Sequence, residues 1–230
     1  MNDAESRVRL TLQAWLSPAF PVGSFAYSQG LECAFVAGEL PDGEALRDWL
    51  STLLEHGPIR NDAILLGIAW QAARHGNPSL LRETNDLALA LATGQERRLE
   101  TSAQGRAFAR TLASSWPSAS FDAHMAALGS RPPAYPVAVA AAAAAHALPL
   151  APTLDAFVFA TLANAVAAAT RLGTIGQTDA QKMLAELASR VPPLAQAAAH
   201  ASLDDLGSAT VRAEIYTYLH ETQYSRLFRT

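Results

Sequence analysis

The chain has 230 residues, 50% of them apolar and only 17% charged, with a net charge of −4. That length can bury a sizeable core, while 17 cations scattered among 21 anions exclude nucleic acid as a main partner, because phosphate binding needs clustered Lys and Arg. The charged fraction lies below the roughly 25% of an average globular protein, so exposed apolar patches of the kind that receive partners are expected.

The N-terminal run MNDAESRVRL carries acidic residues and no apolar stretch, so it is not a signal peptide, and the cytoplasm is the expected compartment. The single cysteine, Cys33, excludes an internal disulfide and a cysteine-based zinc site. Residues 16–32, LSPAFPVGSFAYSQGLE, come next. Pro18, Pro21 and Gly23 fix an extended approach, and Ser24 is placed to cap a helix. Gly30 would then lie inside that helix, where glycine costs about 1 kcal/mol against alanine and points to close backbone packing or a bend.

Helical segments follow between Gly and Pro punctuation. Residues 42–56 open on a capping Asp42 and put Leu46, Trp49, Leu50, Leu53 and Leu54 on one face. Residues 61–75 carry Ile64, Leu65, Ile68 and Ala69 at the same spacing, and helices over 80–92 and 95–115 come after. The second of these contains ETSAQGRAF (100–108), with Gly105 in mid-helix among polar residues. Residues 132–154 hold no Asp, Glu, Lys or Arg, a span of bilayer-crossing length. Alanine is its commonest residue, and Pro132, Pro133, Pro136, Pro149 and Pro152 cut it to one helix over 135–148, a close-packed core helix and not a membrane span. A helix over 153–171, capped by Thr153, places Phe159, Leu162, Ala163 and Val166 in register. It ends at Arg171 in RLGTIGQTD, where Gly173 and Gly176 make a turn and Thr178 with Gln181 has capping-box spacing. Helices over 178–190 and 208–223 complete the chain, with Pro192-Pro193 and Gly207 read as stops. No period-two run of Val, Ile and Thr occurs, so no strand is expected. The fold class is all-α: about ten helices in one bundle spanning 1–230, without a sheet.

Reactive apparatus is missing from the sequence. Lys182 follows Gln181 and not Gly, so there is no phosphate-binding loop, and no G-x-S-x-G, H-E-x-x-H or C-x-x-C pattern occurs. The six histidines never stand three or four apart, so no helical metal site is expected. His146 among alanines reads as a core or cap histidine and Cys33 as a buried, inert thiol. The competing reading is a helical enzyme using a buried acid or base such as Glu32 or His146. The C-terminal residues 221–230, ETQYSRLFRT, are aromatic and Arg-bearing, where chain ends usually carry small polar residues. They suit either docking on the protein's own body or an interface hot spot.

LSPAFPVGSFAYSQGLE resembles the N-terminal signature of the urease accessory protein UreF family, and ETSAQGRAF, RLGTIGQTD and the YSRLFR tail resemble later blocks in the same order. Residues 113–152 match no block. The resemblance implies an all-helical homodimer without catalytic, nucleotide or resident metal residues. It also implies no tightly bound cofactor and no membrane or nucleic-acid partner, with nickel passing through an assembly of UreD (also called UreH), the GTPase UreG and apo-urease. The expected partner-binding residues are Phe20, Pro21, Gly23, Ser24, Tyr27, Gln29 and Glu32 in the first block, Arg171, Gly176 and Gln177 in the third, and Tyr224, Arg226, Leu227 and Phe228 in the tail. The N-terminal block and tail are expected to meet UreD/UreH, and the region near 171–177 the dimer or GTPase.

Overall fold

A computed structural model describes residues 3–230. Among the described residues there are twelve α-helices, two short 3-10 turns and no strand: α1 Asp3–Trp15, α2 Leu31–Val36, α3 Gly43–His56, α4 Pro58–Arg74, α5 Pro78–Ala90, α6 Gly94–Ser115, α7 Ala119–Ala127, α8 Tyr135–Ala145, α9 Leu150–Leu172, α10 Gln177–Ala188, α11 Val191–His200 and α12 Val211–His220. The all-α expectation holds.

Helix α8 is the centre. Every residue from Pro136 to Ala144 is buried, the pattern of a helix that is apolar all round. It packs chiefly on α4 and α6 and also touches α5, α7 and α9. Alanine side chains let these backbones approach, and Gly105 of α6 takes this furthest, because a Cβ there would lie 2.1 Å from the Pro133 carbonyl oxygen. The segment leading into α8 has backbone groups that need partners. Asn85 supplies two, donating Nδ2 to Pro132 O at 3.1 Å and accepting Ala134 N at 2.8 Å, while Thr101 Oγ1 accepts Tyr135 N at 3.1 Å.

Several boundaries follow the local chemistry anticipated. Asp42 caps α3 by accepting Glu44 N and Ala45 N, both at 3.0 Å, and Gly173 ends α9 at φ +86°. Others differ. Gly30 is not inside a helix; it precedes α2 at φ +80°, and its closeness to the Thr217 backbone nitrogen, 2.8 Å from a would-be Cβ, leaves no room for a side chain. Ser24 caps nothing and starts the 3-10 turn Ser24–Ala26 behind a left-handed Gly23. Thr153 lies within α9, where its hydroxyl donates to Pro149 O at 2.7 Å. The Thr178–Gln181 capping box does not form, because α10 begins behind Gly176 without a side-chain cap. Pro192 and Pro193 open α11 instead of stopping a helix, since proline is tolerated in a first turn whose N–H groups lack intrahelical partners. The last helix is shorter than 208–223. The helix long and apolar enough to cross a membrane is α9, and it packs against α1, α2, α3, α4, α8, α10 and α11.

Candidate docking site

The tail returns to the body of the protein and is held by a buried carboxylate. Glu32, near the start of α2 and 5% exposed, accepts Leu227 N at 2.6 Å and Phe228 N at 2.9 Å. Such charge-assisted bonds are the stronger kind. Ser28 N donates to Thr230 O at 2.9 Å, and the Ser28 hydroxyl donates to the same oxygen. Gln29 N donates to Thr230 Oγ1 at 3.2 Å, and that hydroxyl donates to Glu100 Oε2 at 3.3 Å. Arg229 N reaches Ala26 O at 2.8 Å. The first and last blocks are therefore in contact, with Glu32, Leu227 and Phe228 the residues named for docking that meet there.

His220 closes the seat from α12. Its ring is wholly buried, with Nε2 3.2 Å from Glu32 Oε2 and Nδ1 2.7 Å from Glu96 Oε2. Arg226 pairs with the other oxygen of Glu96. Arg171, at the end of α9, donates to Phe25 O and lies 4.4 Å over the Phe228 ring, a cation–π contact. Arg171 thus joins the third block to the first and to the tail. Gly176 and Gln177 are exposed and take no part in this seat.

A second buried polar group lies beside the first. Arg97 on α6 bonds Asp62 at 3.0 Å and Glu100 at 3.1 Å, and Glu100 also accepts Gln29 Nε2 and Gln104 Nε2, both at 3.0 Å. Burial raises the Asp62 carboxyl to about 6 in spite of Arg97. Cavities of 180 and 280 Å³ adjoin this group, both lined by Gln29, Asp62, Arg97 and Thr101. Cys33 beside Glu32 is a poor nucleophile, because burial and then the Glu32 charge raise its pKa.

Exposed apolar side chains occur on the outer side of α12 and in the tail. Ala213, Thr217 and His220 form the inner side of α12, whereas Val211, Ile215, Tyr218 and Leu219 are exposed. Spacings of four, seven and eight residues make these one stripe. Tyr224 and Leu227 are exposed in the tail, while Phe228 is buried. Of the other residues singled out in the sequence, Phe20 is buried against Phe108 at 5.1 Å between ring centres and Trp116 at 6.0 Å, and Tyr27 is also buried. Pro21 is exposed. Glu96, Glu100 and His220 carry no sequence signal as site residues, because short-range spacing does not reach partners that meet 124, 188 and 130 residues apart. His146, the other acid–base candidate, is stacked edge-on against Trp15 at 5.2 Å, with different neighbours from Glu32.

Fold and site define an all-helical protein with its tail seated on its own body and exposed apolar side chains on α12 and the tail. The sequence profile of the UreF family matches residues 40–188, and the chain belongs to that family. It is similar to the urease accessory protein UreF of Xanthobacter autotrophicus, 51% identical over all of this chain and 94% of the relative. It is likewise similar to UreF of Rhodopseudomonas palustris, 49% identical over 95% of this chain and 92% of the relative, and of Methylobacterium radiotolerans, 47% identical over the full length of both. Membership makes it an accessory protein of urease maturation and not an enzyme.

Proposed function

We propose that the chain is a nickel-insertion chaperone that bridges UreD/UreH and the GTPase UreG and regulates GTP-dependent delivery of nickel to apo-urease. It works in the cytoplasm as a homodimer, and residues 1–230 act as one helical domain whose N-terminal arm and residues 221–230 serve docking. Nickel is cargo, and no cofactor is tightly held.

The observation that carries this reading is the set of exposed apolar side chains, Val211, Ile215, Tyr218 and Leu219 on α12 and Tyr224 and Leu227 in the tail. Exposed apolar groups of this size, with aromatic members, are typical of interface hot spots. The tail anchors Phe228 inward and offers Leu227 outward, as alternate residues of an extended segment do. In this reading Tyr224 and Leu227 touch UreD/UreH directly. Gln29, Glu32, Arg226 and Phe228 seat the tail, and Phe20, Pro21, Gly23, Ser24 and Tyr27 are assigned to the same partner. Arg171, Gly176 and Gln177 serve the dimer or the GTPase.

Size-exclusion chromatography with light scattering tests it, on the protein alone and mixed with UreD/UreH and nucleotide-loaded UreG. A dimer that grows into a stoichiometric complex is expected. Combined Tyr224→Ala and Leu227→Asp changes should weaken the UreD/UreH step and leave the helical circular dichroism intact. A wild-type protein that binds neither partner would overturn the reading.

A further inference from the structure

The 280 Å³ cavity is lined by hydrogen-bonding groups that the protein leaves unused. Tyr135, at the start of α8, lines it with its ring against Phe108 and Phe157, at centroid distances of 5.9 and 5.6 Å. Among the described residues the Tyr135 hydroxyl bonds to none. Burial holds it far above the ordinary tyrosine pKa, so it keeps its proton and is a donor. Asn164 of α9 lines the same cavity, and its amide has no partner among the described residues either. Gln29 gives its Nε2 to Glu100, and Asp62 pairs with Arg97 through Oδ2. Gln29 Oε1 and Asp62 Oδ1 are left as acceptors. Polar groups away from bulk water are normally bonded, so a converging set that is not points to a ligand.

Charge and size narrow the ligand. Asp62 and Glu100 line the cavity together with Arg97 and Arg171, two anions against two cations. Arg97 is committed to both carboxylates, and Arg171 to Phe25 O and the Phe228 ring. A charged ligand would find no unpaired counter-charge, and its desolvation would go uncompensated. What remains is a set of acceptors with two donors, Tyr135 and Asn164, which a neutral group that both donates and accepts would match. The rest of the wall is apolar, with Val22 and Phe157 buried in it, and aromatic walls suit a flat ring. A volume of 280 Å³ is that of a small site and admits a ligand of roughly ten heavy atoms.

We propose that this cavity binds a small neutral carboxamide with a flat apolar body. The amide N–H groups donate to the free oxygen of Asp62 or Gln29, and the carbonyl accepts from Tyr135 or Asn164. The site belongs to the chain by itself and stands apart from the bridging role proposed above.

Three molecules of one shape test it: benzamide, which is neutral, benzamidinium, a cation, and benzoate, an anion. Each is titrated into the full chain by calorimetry and ligand-observed NMR at about pH 7.5, where a carboxyl with a pKa of about 6 is ionised. Benzamide should bind with a Kd on the order of 10 mM or tighter, the range of a fragment of its size. Both charged molecules should bind at least about tenfold more weakly, because their charge is uncompensated. Tyr135→Phe and Asn164→Leu should each weaken benzamide by about tenfold, the loss of one hydrogen bond. The proposal is overturned if benzamide does not bind, if either charged molecule binds as well as benzamide, or if both variants keep the wild-type affinity. Should a variant lose its helical circular dichroism, the three-molecule comparison on the wild type decides alone.

Discussion

Replacing Gly105 by alanine tests whether the approach of α6 to the lead-in of α8 sets the packing of the whole core. The added methyl would lie 2.1 Å from Pro133 O, 2.9 Å from Pro133 C and 3.0 Å from Ala134 C, against the roughly 3.5 Å of comfortable carbon contacts. All three obstacles are backbone, and that backbone is tied to Asn85 and Thr101, so it cannot retreat without breaking buried hydrogen bonds. Overpacking of a core costs about 1–3 kcal/mol, and a blocked carbonyl puts this site at the upper end. Alanine's better helix propensity returns about 1 kcal/mol, leaving a net loss of about 2 kcal/mol. For a chain of this length that is a fall in Tm of about 4–8 °C, to be read by thermal and urea denaturation. Gly207→Ala is the control, because nothing lies within 4 Å of its would-be Cβ, and it should stay within about 0.5 kcal/mol of wild type. A Gly105→Ala protein as stable as wild type would refute the close-approach argument.

Two further outcomes are expected. Asp62 is raised to about 6 from the ordinary 3.8, chiefly by burial, so the folded state takes up a proton that the unfolded state releases. Its contribution to stability is present in full below the ordinary value and is lost as pH rises through 6. Asp62→Asn should thus gain on wild type between pH ~4 and pH ~7, by on the order of 3 kcal/mol; a pH-independent difference in urea midpoints would sink this. Arg171→Ala removes the guanidinium from the Phe228 ring and the bond to Phe25 O, a loss of about 1 kcal/mol. Trypsin should then cut after Arg226 several-fold faster at unchanged Tm, and an unaltered cleavage rate would count against the clamp.

Much of the fold was legible because its boundaries are local chemistry. Asp42, the face of leucines behind it, the prolines around α8 and Gly173 each act within a few residues of themselves. What escaped was of two kinds. Helices α1 and α7 bury few side chains, Leu12 and Trp15 in one and Phe121 in the other, and so lack a strong apolar stripe. At Pro192-Pro193 and Gly30 one residue type serves two purposes: proline both stops and opens helices, and glycine both weakens a helix and precedes one at positive φ. Only the packed structure decides, at Gly30 through the Thr217 backbone.

The candidate site was legible as four segments but not as one place. Residues 16–32, 100–108 and 171–181 stand out because their glycines and polar side chains do not build a core, and the tail because it is aromatic and Arg-bearing where chain ends usually carry small polar residues. In the fold these oddities explain one another. Ser28, Gln29 and Glu32 of the first segment, Glu100 of the second and Arg171 of the third all bond to the tail, to each other or to both. The sites are up to 202 residues apart in sequence, beyond the reach of any periodicity. Much of this seat lies outside residues 40–188, the stretch that the family profile matches. A helical core alone would need neither a buried Glu32 nor a buried His220, since each costs desolvation that only good partners offset. Both residues find those partners in or beside the tail, and the cluster makes physical sense only if the docked tail is a state the protein is built to hold.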